Sequence, residues 1–267
     1  MGYGDGGMAT GAWRRGRGDG GMELTEGHLL GGRVRYAQPR EGFRSGIEPV
    51  LLAAAVPALT GERVLEAGSG AGAALLCLAA RVAGISGVGV ERNPALVAVA
   101  ARNAAANGWT AANGPAELAF VAADITGVAD LGRFDHAFAN PPYHAAGGTA
   151  SPDAARDVAR RAAPELFGAW AAAMGRWLRP RGTLTWIVAA AVLPACIAAM
   201  GDSGCAVAAV LPLWPRVGRN AKLVLLRGVK GGRGGLRVLP GVVLHAVEGG
   251  YTAEAEAVLR LGAALAM

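Results

Sequence analysis

The chain is short of cysteine, of charge and of aromatic residues. Its three cysteines, Cys77, Cys196 and Cys205, show neither CxxC nor other metal-ligand spacing. An odd, scattered set excludes a disulfide scaffold and fits a reduced compartment, so a cytoplasmic protein without a metal site is expected. Charged residues make up 17% and aromatics 6% of the 267 residues, against 52% hydrophobic residues. That balance supplies a core and excludes disorder over most of the length. Mean hydropathy is +0.32, yet a membrane span is missing. The longest apolar run, Leu184 to Met200, contains Thr185 and is split by Pro194. It falls short of the roughly 18–20 residues that cross a bilayer and reads as a buried strand followed by a helix. No charged segment leads into an apolar leader, and position 6 is Gly where a myristoylation signal requires Ser or Thr, so neither secretion nor lipid anchoring is expected. Internal repeats are also missing.

Acid is absent from one long stretch. Arg216, Arg219, Lys222, Arg227, Lys230, Arg233 and Arg237 give the segment 216–237 a charge of +7, while the whole chain is only +6. A second cluster sets Arg33, Arg35, Arg40 and Arg44 against Glu41. Concentrated positive charge suits a polyanion such as nucleic acid, although a solvated face in an arginine-rich chain has the same composition.

Residues 1–22 are Gly-rich, with Arg14, Arg15 and Arg17 among them, and are expected to be a disordered tail. Residues 23–267 read as one domain. A short β segment is expected from Gly31 to Arg35 and beyond, and a buried helix over Pro49–Leu59. Strands are then expected at Arg63–Ala67, Gly87–Glu91, Phe120–Asp124, Phe134–Ala139 and Gly182–Ala190. Helices fall between them at Gly72–Val82, Pro94–Asn107 and Pro164–Leu178, and another runs to about Met200. Strands at Ala206–Leu213 and Ala221–Lys230 close the series as an antiparallel hairpin at one edge. Short strands alternating with longer helices imply an α/β fold, doubly wound around a mostly parallel sheet.

Four motifs carry chemistry. Val64 to Gly72 (VLEAGSGAG) is a strand running into a Gly-rich turn and a helix, where backbone can approach a ligand and free N–H groups point outward. It fits a nucleotide-like cofactor and admits either a nicotinamide or S-adenosylmethionine. Glu91 ends the next strand, about twenty residues on, where a carboxylate can accept from ribose hydroxyls. Asp124 ends the third and can accept from an adenine amine. Asn140-Pro141-Pro142-Tyr143 follows the fourth. Proline has no N–H, so an Asn side-chain oxygen and a Pro carbonyl can both accept from one NH2 group. Such a grip draws the nitrogen lone pair toward an electrophile, and Tyr143 offers a face for stacking. A nicotinamide enzyme has no use for this arrangement.

With these motifs the chain resembles the class I S-adenosylmethionine-dependent methyltransferases that modify amino or amide nitrogens. Leu30-Gly31-Gly32-Arg33, Gln38-Pro39, Gly42-Phe43-Arg44-Ser45-Gly46, Leu51-Leu52-Ala53-Ala54 and the ending Pro240 to His245 add a closer likeness. Over residues 23–267 the chain is similar to bacterial tRNA adenine-N6 methyltransferases that act beside the anticodon of a valine tRNA. The resemblance implies a Rossmann-like, seven-stranded fold with an antiparallel C-terminal hairpin. It implies that Glu66, Gly68, Ser69, Gly70 and Gly72 line the cofactor, that Glu91 holds the ribose and Asp124 the adenine. Asn140 and Pro141 would grip the target amine, with Pro142 in the same rigid turn and Tyr143 stacked on the base. Arg44, Arg216, Arg219 and Lys222 would contact tRNA phosphates. No metal and no membrane are implied, and the apolar content allows a homodimer. Two other readings stand beside it: a glutamine N5-methyltransferase acting on release factors, and a non-catalytic RNA-binding module of the same fold. The first carries a helical substrate domain for which some 40 residues ahead of Arg63 are too few, and the second would show degraded motifs.

Overall fold

A computed structural model describes residues 14–17, 22–41, 45–110, 116–142 and 152–267. The chain begins with a three-stranded antiparallel sheet of β1 (Arg14–Arg17), β2 (Glu23–Leu29) and β3 (Val34–Pro39), in that order. β1 falls within the segment 1–22 expected to be a tail. Its register sets Arg14 opposite Glu26 and Arg17 opposite Glu23. Main-chain pairing along the edge of β2 forms this strand from a segment whose composition has nothing to bury. The β segment expected from Gly31 begins instead at Val34, because Leu30–Gly32 forms the tight turn between β2 and β3.

After α1 (Glu48–Ala55), strands and helices alternate: β4 (Arg63–Ala67), α2 (Ala73–Arg81), β5 (Ser86–Glu91), α3 (Pro94–Ala106), β6 (Glu117–Ala122) and β7 (Phe134–Ala139). Then come α4 (Pro152–Trp177), β8 (Leu178–Ala189), α5 (Leu193–Asp202), β9 (Cys205–Trp214) and β10 (Leu223–Lys230). Two short strands, β11 (Arg237–Val238) and β12 (Val242–Val243), precede α6 (Ala253–Leu261). The second sheet runs β11-β9-β10-β8-β7-β4-β5-β6, with β12 also on β9. β4 to β8 pair in parallel, and β10 is antiparallel to both β8 and β9. The expected hairpin therefore does not lie at the edge: β10 is inserted between β8 and β9, and β11 and β12 pair with β9. Two-residue strands carry no periodicity, so nine strands stand where seven were expected. α4 begins at Pro152 rather than Pro164, since its Asp- and Arg-rich start lacks the apolar spacing that marks a helix but retains helix-forming residues.

Alternate residues of the central strands enter opposite layers. Val64, Ile187 and Leu225 pack with α1, α2 and α6, while Leu65, Trp186, Val188 and Leu226 pack with α4 and α5. Three arginines tie the first layer together by donating mostly to carbonyls at helix C-terminal ends, which have no partner within their own helices. Arg33 donates to Ala80 and Leu261, each at 2.7 Å. Arg81 donates to Ala53 and Val56, and Arg227 to Ala55 and Met267. Burial lowers the Arg227 guanidinium to about 10, helped by the charges of Arg237 and Arg81. Arg33 and Arg227, which belong by composition to the two basic clusters, thus donate to carbonyls of this chain.

Candidate active site

The sheet order reverses between β4 and β7, and the crevice at their carboxyl ends is where doubly wound sheets bind ligands. β4 enters that crevice through Gly68-Ser69-Gly70-Ala71-Gly72. The three glycines have φ of 67°, 54° and 86°, left-handed values at which a side chain is strained. Gly68 and Ser69 N–H both donate to the Val90 carbonyl, at 2.8 and 3.1 Å, and bind the loop to the end of β5. Gly70 N–H donates to Glu91 Oε2 at 3.1 Å, and Glu91 Oε1 accepts from Asn93 N–H at 2.9 Å. Glu91 is thereby fixed at the rim of the loop with lone pairs to spare.

Glu66 lies beneath the loop. Its Oε2 accepts from Leu75 N–H at 3.0 Å and so caps α2, whose N-cap residue, Gly72, has no side chain to do it. Burial pushes the Glu66 carboxyl well above the usual range, against the Leu75 N–H and with the help of the Glu91 charge. Ser69 is buried, and its Oγ has no hydrogen-bond partner among the described residues. Asp124, expected as the last residue of its strand, lies instead in the turn after β6, two residues past Ala122. Its Oδ1 accepts from the Thr126 hydroxyl at 2.6 Å and the Thr126 N–H at 2.8 Å, which hold the carboxylate below its ordinary range. Asn140 follows β7 directly and is half-buried, Pro141 is buried and Pro142 is exposed. Tyr143 and Arg44 lie outside the described residues.

Three further residues shape the crevice. A Cβ on Gly68 would stand 2.9 Å from the Trp170 indole, and one on Gly89 would stand 2.5 Å from the Phe120 ring. Trp170 on α4 and Phe120 on β6 therefore pack against the loop and its support. Asn103 on α3 is 2% exposed. Its Oδ1 accepts from Ala37 N–H at 2.9 Å, and its Nδ2 donates to the carbonyls of Ala37 at 2.8 Å and Ala71 at 3.0 Å. One turn later, Asn107 brackets the N–H and C=O of Arg35 in the same way. Two amides thus take the place of a missing strand beside β3 and join the N-terminal sheet to the glycine loop. Sequence reasoning gave none of these residues a role. The available signal was a polar Asn103 in phase with Val99, Ala100 and Ala104 on the buried face of α3.

Arg216, Arg219 and Lys222 line an open cleft of about 550 Å³ with Pro215, Asn220 and His245. His136 lies elsewhere, toward the amino ends of β4 and β7. Its Nδ1 meets the Thr183 hydroxyl at 2.8 Å and its Nε2 meets Glu62 at 2.9 Å, and burial lowers its pKa against the pull of Glu62. Among the described residues no group of three His, Cys, Asp or Glu side chains is placed to hold a metal. No helix among them is long and apolar enough to cross a membrane.

The crevice fits an adenosyl cofactor on its own chemistry. Carboxylates at the ends of two strands can accept from ribose hydroxyls and an adenine amine. A glycine loop with open space where a Gly70 side chain would stand admits close approach, and the unpartnered Ser69 hydroxyl lies within it. Residues 48–196 match the family model described as Methyltransferase small domain. A crystal structure described as a predicted O-methyltransferase from Agrobacterium tumefaciens is similar at a TM-score of 0.66 and 24% identity, over 82% of this chain and 99% of that one. TrmN from Thermus thermophilus is similar at 0.47 and 17% identity, over 66% and 46%. A methyltransferase from Pyrococcus furiosus is similar at 0.46 and 20%, over 65% and 77%. No curated protein sequence matches the chain.

Proposed function

The chain belongs to the methyltransferase small domain family and is an S-adenosylmethionine-dependent methyltransferase, and from that premise we propose that its acceptor is the N6 amine of an adenine in tRNA. The anticodon loop of a valine tRNA is the proposed location, and the cytoplasm the compartment. The observation that carries this reading is Asn140-Pro141 at the end of β7, the strand beside the glycine loop across the switch point. When bound, S-adenosylmethionine supplies an electrophilic methyl group. Glu91 and Asp124 orient the nucleoside by accepting hydrogen bonds, and the glycine loop leaves room for the rest. Asn140 Oδ1 and the Pro141 carbonyl accept from the target amine, hold it in line and turn its lone pair out of conjugation. Alignment is the main contribution to rate. The amine releases its proton after transfer, so no base of shifted pKa is needed. An adenine in a single-stranded loop leaves its stack at the least cost.

The test is incubation with labelled S-adenosylmethionine and, in parallel, tRNA lacking the modification, an adenine-containing DNA and a release factor. Label in tRNA alone, recovered as N6-methyladenosine, is the expected result. Label in the release factor alone would transfer the Asn140 chemistry to a glutamine amide and end the nucleic-acid reading. Asn140→Ala should abolish transfer yet bind cofactor normally. Near-normal turnover in that variant refutes the role given to Asn140.

A further inference from the structure

The carboxyl edge of the large sheet has two halves. On one side of β7 stand the ends of β4, β5 and β6, with the glycine loop, Glu91 and Asp124. On the other side come β8, then the start of β10, then the end of β9. β10 begins where β8 ends: Leu223 is opposite Ala189, and Ala190 N–H donates to the Lys222 carbonyl at 2.8 Å. The β9–β10 turn, residues 215–222, therefore shares the edge with Asn140. At about 4.8 Å per strand it stands roughly 10–14 Å from β7, on the side away from the cofactor crevice.

This turn forms a cleft with the segment 244–251. Leu244 N–H donates to the Trp214 carbonyl at 2.7 Å, His245 N–H to Pro215 at 3.1 Å, and Arg216 Nη1 to Ala246 at 2.6 Å. These bonds fix the two walls before any ligand arrives. The cleft residues are Pro215, Arg216, Arg219, Asn220, Lys222 and His245, with no acid among them. Glu248 is in the second wall but does not line the cleft. The Arg219 guanidinium makes no hydrogen bond or ion pair with another described residue. The His245 ring stacks on Tyr251 at 4.9 Å and donates from Nδ1 to the Gly250 carbonyl at 3.2 Å, so in the neutral ring Nε2 is left as an acceptor, suited to a hydroxyl rather than a phosphate oxygen. Val217 and Val247, 75% and 88% exposed, extend from the two walls. Cations on a fixed frame, an amide, a stacked histidine and exposed apolar side chains match a nucleic-acid backbone better than a small inorganic anion.

We propose that this cleft holds a phosphate of the RNA strand that flanks the target base, with Arg219 as its principal cation, Arg216, Lys222 and Asn220 around it, and His245 Nε2 accepting from a neighbouring ribose hydroxyl. The proposal rests on the RNA acceptor proposed above and places the strand's approach over β8 and β10, opposite the cofactor. The test uses the full chain and a fluorescently labelled RNA stem-loop with adenine in its loop, titrated by anisotropy across a salt series. Arg219→Ala removes an exposed side chain and does not threaten folding. It should weaken RNA binding several-fold and reduce the slope of log K against log salt by about 0.7, the share of one phosphate contact on a single strand. Cofactor affinity should be unchanged. Arg233→Ala removes the same charge from the basic segment but outside the cleft, and should leave the slope as it is. Equal losses in both variants would mean diffuse attraction and overturn the cleft as a site. Wild-type slope and affinity in Arg219→Ala, with RNA still bound and methylated, would overturn it while the RNA reading stands. Binding of an acidic peptide in place of the stem-loop would overturn both.

Discussion

Asn103→Leu tests whether the glycine loop depends on a side chain far from it in sequence. The substitution roughly preserves volume and removes three hydrogen bonds from a site that is 2% exposed. It leaves one N–H and two carbonyls, on Ala37 and Ala71, without their partner. Taking about 1 kcal/mol for each bond as a floor, and 1–3 kcal/mol for each buried group left unsatisfied, the loss is about 3–9 kcal/mol. Against a typical stability of about 5–15 kcal/mol this is a large fraction. Asn107→Leu is the control. Its bonds to Arg35 lie near solvent, where water replaces them, and its bond to the Asn103 carbonyl is only partly buried, so its loss should stay well below that of Asn103→Leu. Urea unfolding of both variants measures the difference. The same experiment has a functional arm, because freeing the Ala71 carbonyl loosens the loop, and cofactor affinity should fall in Asn103→Leu alone. If both variants unfold at the same urea concentration, or Asn103→Leu is within about 1 kcal/mol of wild type, the reasoning fails.

Glu66 has its pKa raised by burial, so the folded state holds that proton more tightly than the unfolded chain. This contribution is fully present below the ordinary carboxylate pKa of about 4.3 and declines as pH rises through it toward the folded value. Glu66→Gln keeps an acceptor for Leu75 N–H and should gain stability relative to wild type as pH rises, in denaturation at a series of pH values; the opposite trend would refute the assignment. Arg227→Ala should cost about 2–4 kcal/mol in unfolding by losing two charge-assisted bonds to Ala55 and Met267, and should leave the salt slope of RNA binding unchanged; a changed slope would restore it to the RNA-facing surface. Gly68→Ala should lose about 1–2 kcal/mol for its left-handed backbone and bind cofactor more weakly because its Cβ meets Trp170, with a change in tryptophan fluorescence as a second readout; wild-type stability and affinity together would contradict the packing.

Elements defined by a short apolar run between turns were legible to the residue. β4 and β7 span Arg63–Ala67 and Phe134–Ala139 as expected, and α2 and α3 match within one residue at each end. The first turns of α4 were not legible, because a helix that begins with Asp and Arg on several faces has no apolar stripe to read. β1, β11 and β12 were not legible either, since each exists by pairing with another strand rather than by its own pattern. The order of motifs along the chain located the glycine turn, Glu91, Asp124 and Asn140 near one edge of one sheet. It did not show that Glu66 turns under the loop to cap α2, because capping depends on where the helix starts in space.

The charges divide the same way. Composition gives the segment 216–237 its +7, and every cation in it counts equally there. Folding separates them: Arg227 is drawn among the C-terminal ends of α1 and the chain, while Arg219 stays outside on a turn whose walls are fixed by backbone bonds. What sequence determines by itself is what periodicity and local stereochemistry can enforce within a few residues: the alternating elements, the left-handed glycine turn and the rigid Asn-Pro-Pro turn. What only tertiary structure decides is which side chains from distant elements meet, as Asn103 meets Ala71, Trp170 meets Gly68 and His245 meets Tyr251. Those contacts are selected by the packing of the whole sheet and its helices, and no local pattern carries that information.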